Sequence, residues 1–336
     1  MKIKNTIKVF PVIAIGLLLA ACSKKTTTHP TSPISLKTSY TLNSVGLYPE
    51  SIDYDNKNHR FIVGSFNKGT VSTLNTNGDL SSFISDNKLV TVTGVYADSP
   101  RNRLIVLSGD IGSSEKSAPN GKSGGSVAYA GIYNLTTGTL IKGIDLKSLT
   151  PNAGALPNDA TVDQAGNIYV TDSFSPLIYK IDAGYTASVF VTDSRFSAPA
   201  GSFGLNGIVV DPDGYLLVTK TDNGKLFKIS LTNPKSFTEV SGFSSASPDA
   251  LEWNSNRDLV VVENGLGAGK VYTLTSKDNW GSTTKLAELT IGKEAFPTSA
   301  TLVEQKDIYV LATTKLGLFL GGDKTQTNFI IQKLVQ

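Results

Sequence analysis

A phrase that returns six times constrains this chain more than anything else in its 336 residues. Each copy has a polar lead residue, a short apolar-rich stretch, a turn of Gly, Asn, Asp or Arg, and then a run of β-formers. The copies begin at Glu50 (ESIDYDNKNHRFIVGS), Thr93 (TGVYADSPRNRLIVLSG), Asn158 (NDATVDQAGNIYVTDS), Asn206 (NGIVVDPDGYLLVTKT), Asp249 (DALEWNSNRDLVVVEN) and Thr298 (TSATLVEQKDIYVLAT). The lead residues are spaced by 43, 65, 48, 43 and 49 positions. Four short strands and their turns need about 40–50 residues, the span of one propeller blade. Six copies therefore predict an all-β protein, a six-bladed propeller over residues 36–336.

Each copy parses into strands. In the fourth, residues 207–210 are expected innermost, followed by 215–220, 225–230 and an outer 236–240. The Asp211-Pro212-Asp213-Gly214 turn has the Pro and Gly that a tight reversal requires. The last copy supplies only three strands, near 299–303, 307–313 and 327–334. A lone strand at 36–42 precedes the first blade. Pairing it with 327–334 would close the ring and leave no open edge.

The N-terminus reads as an export signal. Lys2, Lys4 and Lys8 precede the apolar run Val9–Ala21, which is too short to span a bilayer comfortably. The run ends Leu19-Ala20-Ala21-Cys22, which resembles a bacterial lipobox. Cys22 is the chain's single cysteine and the expected lipidation site. Residues 1–21 are thus expected to be a signal peptide, and 22–35 (CSKKTTTHPTSPIS) a flexible tether with little to bury. The protein is expected at the cell envelope, facing away from the cytoplasm and membrane-bound only through N-terminal lipid, as a monomer.

Formal charge is +3, from 31 Lys and Arg against 28 Asp and Glu. The signal carries three of the lysines and no acid, so the remainder is balanced. Nucleic acid is not an expected partner, because phosphate binding needs a net basic face.

The lead residues start the innermost strands and should converge on one mouth of the channel. Glu50 and Asp249 supply carboxylates, and Asn158 and Asn206 supply carboxamide oxygens. Such hard oxygen donors suit Ca²⁺, with its preference for about six to eight oxygens. Asp or Asn alone at a strand start is ordinary turn chemistry. Glu is not a turn residue, and Glu50 follows Pro49 where an apolar side chain is expected.

With these residues the chain resembles the six-bladed superfamily of senescence marker protein/gluconolactonase, diisopropylfluorophosphatase and paraoxonase. The phrases LPNDATVDQAGNIYVTDS, LNGIVVDPDGYLLV and SPDALEW carry the likeness, which covers residues 36–336. The resemblance implies a channel Ca²⁺, or another divalent metal, held by Glu50, Asn158, Asn206 and Asp249. It also implies hydrolysis of a small-molecule lactone or ester, with the metal as Lewis acid and Asp249 as base or nucleophile. Leu156 stands where the sugar-lactone hydrolases carry Arg, and the paraoxonase His pair is missing: His29 lies in the tether and His59 in a turn expected on the opposite face. A neutral or apolar substrate therefore fits better than an anionic one. Thr93, Thr298, Asp172, Ser173, Asp222, Asn264 and Thr313 are expected to line the pocket. The insertion Asp110–Ser126 (DIGSSEKSAPNGKSGGS) is a candidate lid over the same mouth. Two other readings stand beside the hydrolase: a ligand- or protein-binding scaffold that keeps the metal for structure, and a propeller without metal.

Overall fold

The computed structural model describes residues 1–2, 34–118, 124–150 and 152–335. The expected signal peptide, Cys22 and His29 fall outside the described residues. The body, Ser35–Gln336, forms a unit of its own.

Six four-stranded antiparallel sheets form the six blades of a propeller. After β1 (Ser39–Asn43), blade 1 comprises β2 (Pro49–Asp55), β3 (Arg60–Ser65), β4 (Thr70–Asn75) and β5 (Leu80–Ser85). Blade 2 holds β6 (Thr91–Asp98), β7 (Arg103–Gly109), β8 (Ala128–Asn134) and β9 (Leu140–Asp145). Blade 3 holds β10 (Pro157–Val162), β11 (Ile168–Asp172), β12 (Leu177–Ile181) and β13 (Ala187–Thr192). Blade 4 holds β14 (Leu205–Asp211), β15 (Tyr215–Lys220), β16 (Lys225–Ser230) and β17 (Phe237–Glu239). Blade 5 holds β18 (Pro248–Trp253), β19 (Leu259–Glu263), β20 (Lys270–Thr275) and β21 (Thr284–Thr290). Blade 6 holds β22 (Ser299–Val303), β23 (Asp307–Thr313) and β24 (Asn328–Lys333). The expected strands agree with these within about three residues.

Ring closure follows the expectation. β1 pairs antiparallel with β24, from Ser39 opposite Gln332 to Asn43 opposite Asn328, and becomes the outer strand of blade 6.

The core lies between blades. Among the described residues the buried apolar side chains fall into six clusters, one at each blade–blade seam. Both faces of the inner strands are therefore buried, which is why their sequences run apolar without strict alternation. The seam between blades 6 and 1 is aromatic: Tyr40, Tyr54 and Tyr309 each meet the Phe61 ring at 5.0–5.3 Å between centroids, mostly edge to face. One helix was not expected: α1 (Leu316–Leu320), a single turn that buries Leu316 and Phe319 over the end of the ring.

Candidate functional site

The inner strands all start at one end of the channel, here the lead end. They finish at the turn end, where the first and second strands of each blade are joined. Glu50, Thr93, Asn158, Asn206, Asp249 and Thr298 are brought together at the lead end, and each is less than 10 % exposed. Blades 1 to 5 place their lead residue in a register shift of the inner strand. A bulge of this kind re-aims a side chain relative to the regular pleat.

Two glycines let the inner strands touch. A Cβ on Gly94 would lie 2.4 Å from the Asn158 carbonyl oxygen, and one on Gly207 would lie 2.4 Å from that of Asp249. Hydroxyls then tie neighbouring blades at several of the junctions. Thr93 donates to the Pro157 carbonyl and Thr298 to that of Glu50, both at 2.6 Å. These two lead residues line the channel but spend their hydroxyls on holding the ring together.

The other four are held differently. Asp249 accepts from Asn206 Nδ2 at 2.6 Å and from Asn264 Nδ2 at 2.9 Å. Asn206 Nδ2 also donates to Thr221 Oγ1 (3.1 Å), and Asn158 Nδ2 donates to Ser173 Oγ (2.8 Å). With both amide nitrogens engaged, the Oδ1 atoms of Asn158 and Asn206 make no hydrogen bond among the described residues. Neither does the Glu50 carboxyl, which is only 8 % exposed. Burial pushes the Glu50 carboxyl well above its usual range, and the charges of Asp249 and Asp159 push the same way. Burial raises Asp249 to about 7, against the pull of Asn264 and Asn206. No three His, Cys, Asp or Glu side chains among the described residues converge to hold a metal alone. A cation here would need the two Asn oxygens beside the two carboxylates. That donor set, with a buried and unpartnered Glu50, fits a hard divalent cation.

The channel is asymmetric, which the sequence reading did not foresee. At the lead end only about 50 Å³ remains, room for about one or two waters. Phe66, Leu156, Phe203, Phe296, Leu316 and Leu320 crowd that mouth. Towards the turn end the channel widens to a cavity of about 940 Å³. The four candidate ligands line both spaces.

Several expected pocket residues lie elsewhere. Asp172 is buried as a loop organiser: its Oδ1 accepts from the amides of Leu156, Phe174 and Ser175, and its Oδ2 from the Tyr179 hydroxyl. Asp222 is paired with the buried Lys220 at 2.6 Å. Thr313 ends β23 and lines neither cavity. Ser173 and Asn264 do act at the site, by holding Asn158 and Asp249. His59 lies at the turn end as expected, with Nδ1 2.8 Å from Glu304 Oε1. The described part of the 110–126 insertion is at the lead end but clings to the rim. The Glu115 amide donates to the Asn67 carbonyl, and Lys116 Nζ to those of Gly69 and Asp86. It lines neither cavity.

The sequence reading missed a second layer of acids, deeper in the channel. Asp53, Asp159 and Glu252 sit in the inner strands of blades 1, 3 and 5 and line the wide cavity. Each accepts a backbone N–H from the next blade's inner strand: Ala97 N to Asp53 at 2.6 Å, Ile208 N to Asp159 at 3.2 Å, and Leu302 N to Glu252. Burial raises them to about 6, 7 and 8 respectively. The signal available was a carboxylate inside an otherwise apolar strand, as in SIDYD and ALEW.

No family model matches the chain, and no curated protein matches it. Solved structures do share the fold. The allergen Mala s 1 of Malassezia sympodialis is 17 % identical, with a TM-score of 0.70 over 90 % of this chain and 97 % of that one. A luciferin-regenerating enzyme is 12 % identical, with a TM-score of 0.60 over 89 % and 95 %. Virginiamycin B lyase of Staphylococcus aureus is 17 % identical, with a TM-score of 0.56 over 88 % and 99 %. At such identities the likeness establishes the six-bladed fold.

Proposed function

We propose that the protein is a metal-dependent hydrolase of a lactone or ester, with its site at Glu50, Asn158, Asn206 and Asp249. The observation that carries this reading is the Glu50 carboxyl, buried without a hydrogen-bond partner beside a second carboxyl and two amide oxygens. Such a group is costly unless something positive joins it. A bound divalent cation, calcium by the all-oxygen donor set, would supply the Lewis acid that polarises a carbonyl oxygen. Asp249 would act as base or nucleophile. Asn206 and Asn264 grip its two oxygens and fix its orientation, and the charge of a bound cation would hold it in the carboxylate form that a base or nucleophile needs. The apolar residues at the lead end narrow the channel on that side. Two of the similar structures are enzymes by name, in keeping with this reading. Attachment of the protein to the cell envelope through lipid on Cys22 belongs to the same proposal.

The narrowness of the lead end favours a second reading, in which the cation only ties blades 1, 3, 4 and 5 together and the propeller is a binding scaffold. Calorimetry on the body from residue 23 tests the shared premise. Calcium binding is expected in the wild type and should weaken at least about tenfold in Glu50→Gln and Asp249→Asn. No binding to the wild type removes both readings. Binding without turnover across a lactone and ester screen selects the scaffold.

A further inference from the structure

The wide cavity carries an inference of its own, because acidic groups far outnumber basic ones along its wall. Eight acidic side chains line it: Glu50, Asp53, Asp98, Asp159, Asp163, Asp211, Asp249 and Glu252. Only two cations do, Arg101 and Arg257. Both cations are already engaged. Arg101 lies 3.2 Å from Asp98, which also holds Arg103 at 2.7 Å, and Arg257 lies 2.6 Å from Asp211. Asp163 is satisfied by Asn167 Nδ2 and the Tyr169 hydroxyl. Six carboxyls have no cationic partner among the described residues: Asp163, Asp53, Asp159, Asp249 and Glu252 accept hydrogen bonds from uncharged donors only, and Glu50 accepts none.

An acidic wall can be purely structural, and Asp53, Asp159 and Glu252 do clip neighbouring blades. Glu50 is different. It is more than nine-tenths buried, lines this cavity, and makes no side-chain hydrogen bond among the described residues. Tyr96 stands among the same acids, close enough to Asp53, Glu252, Asp98 and Asp159 for each to oppose its ionisation. Its hydroxyl also makes no hydrogen bond among the described residues, and its ring offers a cation an aromatic surface. The volume, about 940 Å³, is that of a small-molecule site and far exceeds what one metal ion fills.

We infer that the turn-end cavity admits and holds an organic cation, an amine or quaternary ammonium compound with an apolar body, between Tyr96 and the carboxylates of Asp53, Asp159 and Glu252. The inference rests on reading the channel as a ligand site and gives that reading a substrate class and a side of approach. The ammonium would lie in the acidic layer. An attached ester or lactone carbonyl would then reach up to the ring of Glu50, Asn158, Asn206 and Asp249. With about 50 Å³ at the lead end against about 940 Å³ towards the turn end, only the turn end has room for such a ligand.

The test uses choline and 3,3-dimethylbutan-1-ol, which share a shape and differ in charge. Binding to the body from residue 23 is measured by calorimetry, once with calcium and once with EDTA. Choline is expected to bind at least about tenfold more tightly than its uncharged isostere. Glu252→Gln and Asp53→Asn keep an oxygen for the inter-blade hydrogen bond. Each should weaken choline about fivefold or more and leave the isostere unaffected, whereas Leu320→Ala at the lead end should change neither. Equal affinity for the two compounds overturns the inference, and so does the absence of choline binding up to about 10 mM. The wild-type comparison decides even if a variant fails to fold. Choline binding without turnover of any ester removes the hydrolase reading and leaves this one standing. Turnover of neutral lactones with no choline binding does the reverse.

Discussion

Asp53 and Glu252 show at the scale of single residues how this channel trades charge for order. Each carboxyl accepts a backbone N–H from the next blade, yet burial lifts Asp53 to about 6 and Glu252 to about 8. A folded pKa above the ordinary one means that the group favours folding most while it is protonated. Its contribution is whole below about pH 4 and is lost as pH rises through about 6 for Asp53 and about 8 for Glu252. In EDTA the melting temperature should therefore fall between about pH 5 and pH 8.5, and Glu252→Gln should flatten the upper part of that fall. A melting temperature that rises over the same range would contradict the assignment. Gly207 sets a second residue-level constraint. Its missing Cβ makes room for the Asp249 carbonyl, and the atoms an added Cβ would meet all belong to backbone. Gly207→Ala should cost about 1–3 kcal/mol of stability, read by urea unfolding, and should weaken calcium binding by displacing Asp249.

Among elements, the six seams are unequal. The seam between blades 6 and 1 gathers eighteen buried apolar residues, whereas that between blades 5 and 6 gathers six, the largest of them Ile308 and three valines among the rest with Ala300 and Val310. Hydrophobic stabilisation scales with the apolar area removed from water, so the second seam should open first. Hydrogen exchange should find the Leu302 amide, which bridges blades 5 and 6, less protected than the Ile52 amide, which bridges blades 6 and 1. Equal protection would refute the ranking. This scale also separates what the sequence could reveal from what it could not. Strand positions were readable because each copy repeats the same local pattern of turn and β-run. The ring of Glu50, Asn158, Asn206 and Asp249 was readable because register within the repeat fixes which residue opens each inner strand. The apolar lead-end constriction was not, because Phe66, Leu156, Phe203 and Phe296 come from loops, and Leu316 from α1, with no shared motif. Asp172 and Asp222 misled for a related reason. Strand-end acids look alike in sequence, whether they organise a loop, pair with a buried lysine or face a cavity.

At the scale of the whole molecule, everything depends on a ring that stays closed. β1 contributes Tyr40 and Leu42, both almost wholly buried, to the seam of blades 6 and 1. Burying a side chain of this size is worth about 1.5–3 kcal/mol. Deleting residues 34–43 should thus cost about 3–6 kcal/mol and lower the calorimetric melting temperature by about five to ten degrees. The proposed calcium site should be lost with it, because Glu50 and Asp249 are held by blades that the closure keeps in register. The same closure has a consequence for how the chain is made. The first strand to leave the ribosome waits for the last, so five blades can assemble while the sixth stays unfinished. A premature stop a few codons before Asn328 would orphan both ends at once, and a protease would meet the frayed edges of a fold that was otherwise nearly complete.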